Sequence, residues 1–369
     1  MSLTPYSRFE DLAEDLYDLD DPIEKDGMSL PRLRYDEKEP IDSPVLVHDN
    51  IEFGFVPTAR GGAAIGFSSY RTIMPSAQLI SLQGYMQGPA VGITDKAIKP
   101  LLPFLHEQDV VGLSYAHGNR GTSNVLTRQG RYTVGDIQED VAADLRQFNT
   151  QVTPDRSKNL PVVLMGHSQG GQHVAHILAN PEKYGLTRDR IRGVVLMNSM
   201  LLPHSQPMIM TPGFAWDIAR KSLGQVAWSM VRPSGRGLLF RGQQAFDAFV
   251  GEGSPEGVNE RRVTDFSFPD SGLFFTQTIT TGTSPSLKDA NLKGLPVAVI
   301  SSNDDQLMSQ ELQHKTAEYL ESLGADVHVH DIPGKHFSPI VTVTEEPQDR
   351  AEHIMRENGR AYQHAFRNI

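Results

Sequence analysis

The sequence predicts an α/β protein, with a mostly parallel central sheet, helices on both faces and a largely helical insertion late in the chain. Three observations point there. Apolar runs alternate with amphipathic stretches from about residue 50 to 200 and again from about 290 onward, the rhythm of βαβ units. Several of those runs are continuously apolar, as strands covered on both faces are. One segment, 201–290, drops the alternation altogether. The 369 residues suffice for one large domain with an insertion. The expected organisation is an N-terminal extension over 1–45, a core built from 46–200 and 291–369, and a cap or lid over 201–290.

The elements follow in chain order. Residues 1–45 are acidic and contain prolines; Phe9 to Tyr17 reads as a short helix and Asp18 to Asp26 as loop. Strands are expected at Ile51 to Val56, Ala63 to Tyr70, Gln78 to Gln83, Val110 to Tyr115, Pro161 to Met165, Gly193 to Met197, Pro296 to Ser301 and Val327 to Ile332. Thr94 to Gln108 and Val134 to Phe148 carry apolar residues at spacings of three and four and read as helices. The second places Asp136, Glu139, Asp140 and Asp144 along its solvent side. Gln310 to Leu323 and Gln348 to Phe366 supply two more helices. The insertion holds Trp216, Trp228 and phenylalanines from Phe214 to Phe275. These aromatics fit equally a core for the insertion or a lining for an apolar or ring-bearing ligand.

Composition excludes several function classes. A net charge of −11 argues against a nucleic-acid partner, which calls for a basic face. The chain has no cysteine, so a disulfide framework, a thiolate nucleophile and a cysteine-ligated metal are all ruled out. The first residues lack the basic-then-apolar pattern of a secretory leader, and no stretch has the length of a membrane span. The expectation is a cytoplasmic protein with no membrane partner.

The strongest local signal is Gly166-His167-Ser168-Gln169-Gly170, followed by Gly171. An apolar strand, Pro161 to Met165, leads into it, and a helix from Gln172 to Leu178 leaves it, ended by Asn180-Pro181. Such a sharp strand-to-helix turn lifts a serine Oγ above the sheet edge, and its glycines let strand and helix approach closely. The helix N-terminus favours negative charge developing at the turn.

A serine hydroxyl needs a base within hydrogen-bond reach, and the base needs a third group to orient it. Of the 13 histidines, His336 lies directly after the last strand, where an open α/β sheet builds its site. His167 sits inside the turn with its side chain expected to point away from the Ser168 Oγ. His173 and His176 fall on the next helix, His328 and His330 within a strand, and His353 and His364 on the last helix. The strand Pro296 to Ile300 runs into Ser301-Ser302-Asn303-Asp304-Asp305. Either Asp304 or Asp305 can therefore accept from the histidine Nδ1. The strand before the insertion ends in Asn198-Ser199-Met200 and offers no acid.

With these residues in view, the chain resembles the α/β-hydrolase superfamily. The resemblance rests on Gly166 to Gly170, Pro296 to Met308 and Gly334 to His336. It implies the order Ser168, Asp305, His336 for a catalytic triad, with Asp305 ahead of Asp304 and Ser302 where relatives often carry glycine. It further implies an oxyanion hole. One donor is the N–H of Gln169. The other comes from the loop Leu82 to Gly88, where Gln83-Gly84 replaces the His-Gly of many relatives; Tyr85 is the expected donor and Met86 the fallback. His117-Gly118 resembles a glycine-rich loop on the following strand. The insertion resembles, in position, the cap of many members. The function implied is a serine hydrolase cleaving an ester of an apolar or aromatic small molecule, with no metal and no organic cofactor. Acyl transfer or lyase chemistry on the same triad, or ligand binding with little turnover, are the competing readings.

Overall fold

The computed structural model describes residues 17–25, 28–33, 51–56, 63–69, 72, 74–84, 92–116, 134–149, 159–202, 284–305, 308–340 and 347–369. The segment proposed as a cap lies mostly at 203–283, outside the described residues, as does the loop after His117.

The first two strands, β1 (Tyr17–Lys25) and β2 (Met28–Leu33), form an antiparallel pair of their own. This corrects the expectation of a loop over Asp18 to Asp26. The pairing of Lys25 with Met28 leaves Asp26-Gly27 as the connection, and Asp-Gly is a favoured sequence for a two-residue hairpin. Of the expected helix from Phe9, residues 9–16 lie outside the described residues, and Tyr17 already belongs to β1.

Eight further strands build one sheet: β3 (Ile51–Val56), β4 (Ala63–Ser69), β5 (Ala77–Leu82), β6 (Val110–Ala116), β7 (Val162–His167), β8 (Ile191–Met197), β9 (Pro296–Ser302) and β10 (Asp326–Ile332). Their order is β10-β9-β8-β7-β5-β6-β4-β3. From β10 to β6 every pairing is parallel; β4 and β3 run antiparallel at the far edge. The eight expected strands are all present, within two residues at their ends.

The chain adds β6 on one side of β5 and then crosses back to place β7 on the other. That reversal makes the carboxyl ends of β5 and β7 the topological switch point of the sheet, the place where open α/β sheets bind ligands.

The helices α1 (Asp95–Ile98), α2 (Leu102–Glu107), α3 (Val134–Gln147), α4 (Gly170–Ala179), α5 (Gln310–Ser322) and α6 (Gln348–Phe366) cover the sheet. The single helix expected from Thr94 to Gln108 is divided by a 3-10 turn at Lys99–Leu101. Pro100 and Pro103 explain this, since neither has an N–H to continue the ladder. In α3, Glu139 is exposed, but Asp144 is buried and accepts a hydrogen bond from the Tyr115 hydroxyl at 2.8 Å. It belongs to the sheet-facing side, because a polar partner on β6 makes burial of the carboxylate tolerable.

Two cores result. Val163, Met165, Val195, Met197, Ala298 and Ile300 pack with α1, α2 and α6 on one face. Val162, Leu164, Val194, Leu196, Val297 and Val299 pack with α3, α4 and α5 on the other. Alternate residues of each strand thus enter opposite cores, and this double burial is why the strands read as unbroken apolar runs. Leu201 and Leu287, which flank residues 203–283 in the chain, belong to the second core.

His328 and His330 face α6 from β10. His330 Nδ1 lies 3.2 Å from Glu357 Oε2, and the His328 and His364 rings stack with centroids 3.9 Å apart. His364 donates from Nε2 to the Asp326 carbonyl at 2.9 Å. Burial, with His328 and His330 nearby, pushes its pKa down to about 4. A histidine held neutral in the fold supports stability above its unfolded value, and that support is lost as the pH falls from there toward about 4, because the unfolded chain then binds the extra proton. Urea midpoints of the wild type and His364→Leu should therefore converge as the pH is lowered from about 7 to about 4.5. A gap that is independent of pH would contradict this.

Candidate active site

Ser168 stands between β7 and α4 with φ at +53°, a left-handed conformation that costs a non-glycine residue about 1–3 kcal/mol. The backbone holds it there from both sides. Its N–H donates to the Met197 carbonyl at 3.2 Å, and its carbonyl accepts from Gly171 at 3.0 Å and Met200 at 2.8 Å. The adjacent glycines are sterically required. A Cβ on Gly170 would stand 1.9 Å from the Leu82 carbonyl oxygen, and one on Gly166 would stand 2.8 Å from the Gly170 carbonyl carbon. The first of these shows that α4 begins directly against the end of β5, which places the Ser168 turn beside the carboxyl end of that strand.

Gln169 caps α4 with helical φ and ψ. Among the described residues its N–H has no hydrogen-bond partner, as expected at the start of a helix. Its side chain is buried, and Nε2 there has no partner either. Gln83, at the end of β5, turns its amide into the sheet, where Nε2 donates to Ser81 Oγ at 2.7 Å and Ser114 Oγ at 3.1 Å. It braces β5 to β6. Tyr85 and Met86 lie outside the described residues.

His336 lies four residues past the end of β10, in a turn entered through Gly334 at φ +126°. Its Nδ1 is 2.7 Å from Asp305 Oδ2, with His336 2% exposed and the Asp305 side chain fully buried. A carboxylate only accepts, so Nδ1 carries a hydrogen, and in the neutral ring this leaves the lone pair on Nε2. The second carboxylate oxygen, Oδ1, accepts from the Met308 N–H at 2.9 Å. Asp304 is exposed, and its backbone N–H donates to the Gly334 carbonyl at 2.9 Å. The structure thus pairs His336 with Asp305 and turns Asp304 to solvent.

Two further side chains, Asn198 and His167, meet the loop that carries His336. Asn198, at the end of β8 with φ +44°, donates to the His336 carbonyl at 2.9 Å and to Ser302 Oγ at 2.8 Å, and accepts from the Ser302 N–H at 2.8 Å. A search for acids at strand ends passes over an amide, although strand-end position was itself the available signal. His167 also reaches the His336 carbonyl, at 3.0 Å.

For a metal, one group among the described residues has ligand atoms within 4.8 Å of one another: Asp326, His328 and His364. It lies where β10 begins, at the end of the sheet opposite Ser168, and the Arg367 guanidinium is ion-paired with Asp326 there. Among the described residues, no helix is long and apolar enough to cross a membrane.

A strand–turn–helix serine, a histidine after the last strand and a buried acid after the strand beside it define a known class. The model of the alpha/beta hydrolase family matches residues 95–352, and the chain belongs to that family. The chain is also similar to solved structures. The haloalkane dehalogenase DatA from Agrobacterium tumefaciens C58 is 14% identical, with a TM-score of 0.50 over 84% of this chain and 94% of its own. A thermostable carboxyl esterase from Bacillus coagulans is 14% identical, with a TM-score of 0.48 over 85% and 97%. The bacterial brefeldin A esterase is 18% identical, with a TM-score of 0.45 over 88% and 75%. Comparison with curated protein sequences finds no match.

Proposed function

We propose that this α/β hydrolase cleaves carboxylic esters, or related acyl bonds, of apolar or aromatic small molecules through an acyl-enzyme on Ser168. The observation that carries the reading is the buried Asp305–His336 pair, whose base loop is hydrogen-bonded to the residue preceding a positive-φ serine. His336 Nε2 takes the proton of Ser168 Oγ as Oγ attacks the acyl carbon, and Asp305 stabilises the imidazolium. The oxyanion is held by the Gln169 N–H, with Tyr85 as the second donor. The imidazolium then gives its proton to the departing alcohol. Water attacks the acyl-enzyme with His336 again as base, and proton return to Oγ releases the acid. The aromatic content of residues 203–283 supports the apolar substrate class.

A fluorophosphonate probe tests the nucleophile. The expected adduct is on Ser168, found by peptide mass spectrometry, and is lost in His336→Ala. A folded protein with no adduct, or an adduct elsewhere, would sink the proposal.

A further inference from the structure

His167 is buried at the end of β7, directly before Ser168. Its Nε2 stands 3.0 Å from the backbone carbonyl oxygen of His336, 169 residues away in the chain. A carbonyl only accepts, so this nitrogen carries the hydrogen and donates. The two imidazoles lie 4.9 Å apart between centroids, tilted by 47°. Phe337 closes the cluster at 5.5 Å from His167 and 5.2 Å from His336.

We propose that His167 is a positioning residue, whose N–H fixes the base relative to the nucleophile. The proposal rests on the reading of Ser168 and His336 as nucleophile and base.

The argument is geometric. Proton transfer needs Oγ and Nε2 within about 2.6–3.2 Å. Ser168 is held on its side by three backbone hydrogen bonds, with Met197 at the end of β8, Met200 just past it and Gly171 in α4. His336 sits in a turn after β10, where only specific contacts can match that precision. Its carbonyl receives two of them, from His167 on β7 and from Asn198 on β8. A carbonyl oxygen has two lone pairs, so this pair of donors uses its full capacity and fixes its place in two directions. The carbonyl shares its Cα with the ring, so fixing it fixes the direction from which the imidazole leaves the backbone. Asp305 then sets the ring's rotation through Nδ1. The Asn198 tie binds the base loop to β8 and β9, whereas the His167 tie joins it to the strand that carries Ser168. That second tie senses the separation on which proton transfer depends.

A buried ring at 167 could also serve packing alone, and two variants separate the roles. His167→Phe keeps a ring and removes the donor. His167→Gln keeps an N–H of comparable reach and removes the ring. With p-nitrophenyl butyrate as the probe, His167→Phe should lower kcat about 10- to 100-fold, with KM within about twofold, since misplacement of a catalytic group costs rate more than binding. His167→Gln should recover most of that loss. The rate of fluorophosphonate labelling should fall and recover in parallel. The far-downfield proton NMR signal of the His336 Nδ1–H reports the base independently of turnover; it should shift or broaden in His167→Phe and return in His167→Gln. A His167→Phe enzyme as fast as wild type, or equal losses in the two variants, would overturn the positioning role. A wild type that neither labels nor turns over the ester would instead fault the hydrolase reading. The Nδ1–H signal would then decide alone, and an unchanged signal in His167→Phe would count against the inference.

Discussion

Asp305→Asn should lower kcat for ester hydrolysis by about 10⁴-fold with KM little changed, while Asp304→Asn leaves both within about twofold. The reason is the tautomer. Asp305 accepts from the Met308 N–H through Oδ1 and from His336 Nδ1 through Oδ2. An asparagine there would keep its carbonyl oxygen toward Met308 and present its amide N–H to His336. The imidazole would then accept at Nδ1 and carry its hydrogen on Nε2, the nitrogen that takes the Ser168 proton in the proposed mechanism. The site would be intact in shape and wrong in protonation. Asp304 is exposed and bonds through its backbone N–H, so its side-chain charge contributes little. Steady-state kinetics on a p-nitrophenyl ester, with circular dichroism to verify folding, measures both variants. A loss below tenfold for Asp305→Asn would show that His336 is oriented by another group.

The parts of this site legible in sequence are those set by local strand–loop patterns. Ser168 announces itself because the strand, the three glycines and the helix are contiguous, and each glycine meets a neighbour that forbids a side chain. His336 and the two candidate acids follow from their place after buried strands. The choice between Asp304 and Asp305 turns on which way two consecutive residues face after β9, and a family resemblance supplied it where spacing could not. The structure brings Asp305 to His336.

What escaped the sequence depends on contacts between distant segments. His167 was expected to point away from Oγ, and its target is a backbone carbonyl 169 residues later, for which no local pattern exists. Asn198 offers no carboxylate, yet it joins the ends of β8 and β9 to the loop that carries His336. Asp144 read as solvent-facing because helix periodicity carries no information about Tyr115 on β6. The hairpin near the chain's start and the break within residues 94–108 differ in kind. Asp26-Gly27 is a hairpin signal, and two prolines three residues apart signal a broken helix, so both were present locally and were outweighed by composition and periodicity.

Two glycines that α6 brings close to other parts of the fold should respond to alanine in opposite directions. Gly193, in β8, lies on the sheet face that α6 covers, and a Cβ there would fall 2.0 Å from the Ala365 carbonyl oxygen and 2.8 Å from its carbon. The obstacle is helix backbone, which has no rotamer to change. The helix must lift from the sheet along a seam that includes Ala361, Tyr362 and Ala365, all fully buried. Overpacking of a core costs about 1–3 kcal/mol, and a clash with backbone belongs at or above the top of that range, so Gly193→Ala should lose about 3 kcal/mol. Gly359, within α6, has its nearest neighbour for a Cβ at 3.9 Å, the Pro100 Cβ, an ordinary contact. Alanine there adds packing and removes the conformational freedom that glycine gives the unfolded chain, so Gly359→Ala should gain about 0.5–1 kcal/mol. Urea unfolding with a shared m-value gives both differences. If Gly193→Ala proved as stable as wild type, the close seating of α6 on β8 would be wrong, and with it the packing that shields one face of the sheet beneath Ser168. If Gly359→Ala proved destabilising while Gly193→Ala behaved as expected, the seating would stand and the space beside Pro100 would be tighter than 3.9 Å allows.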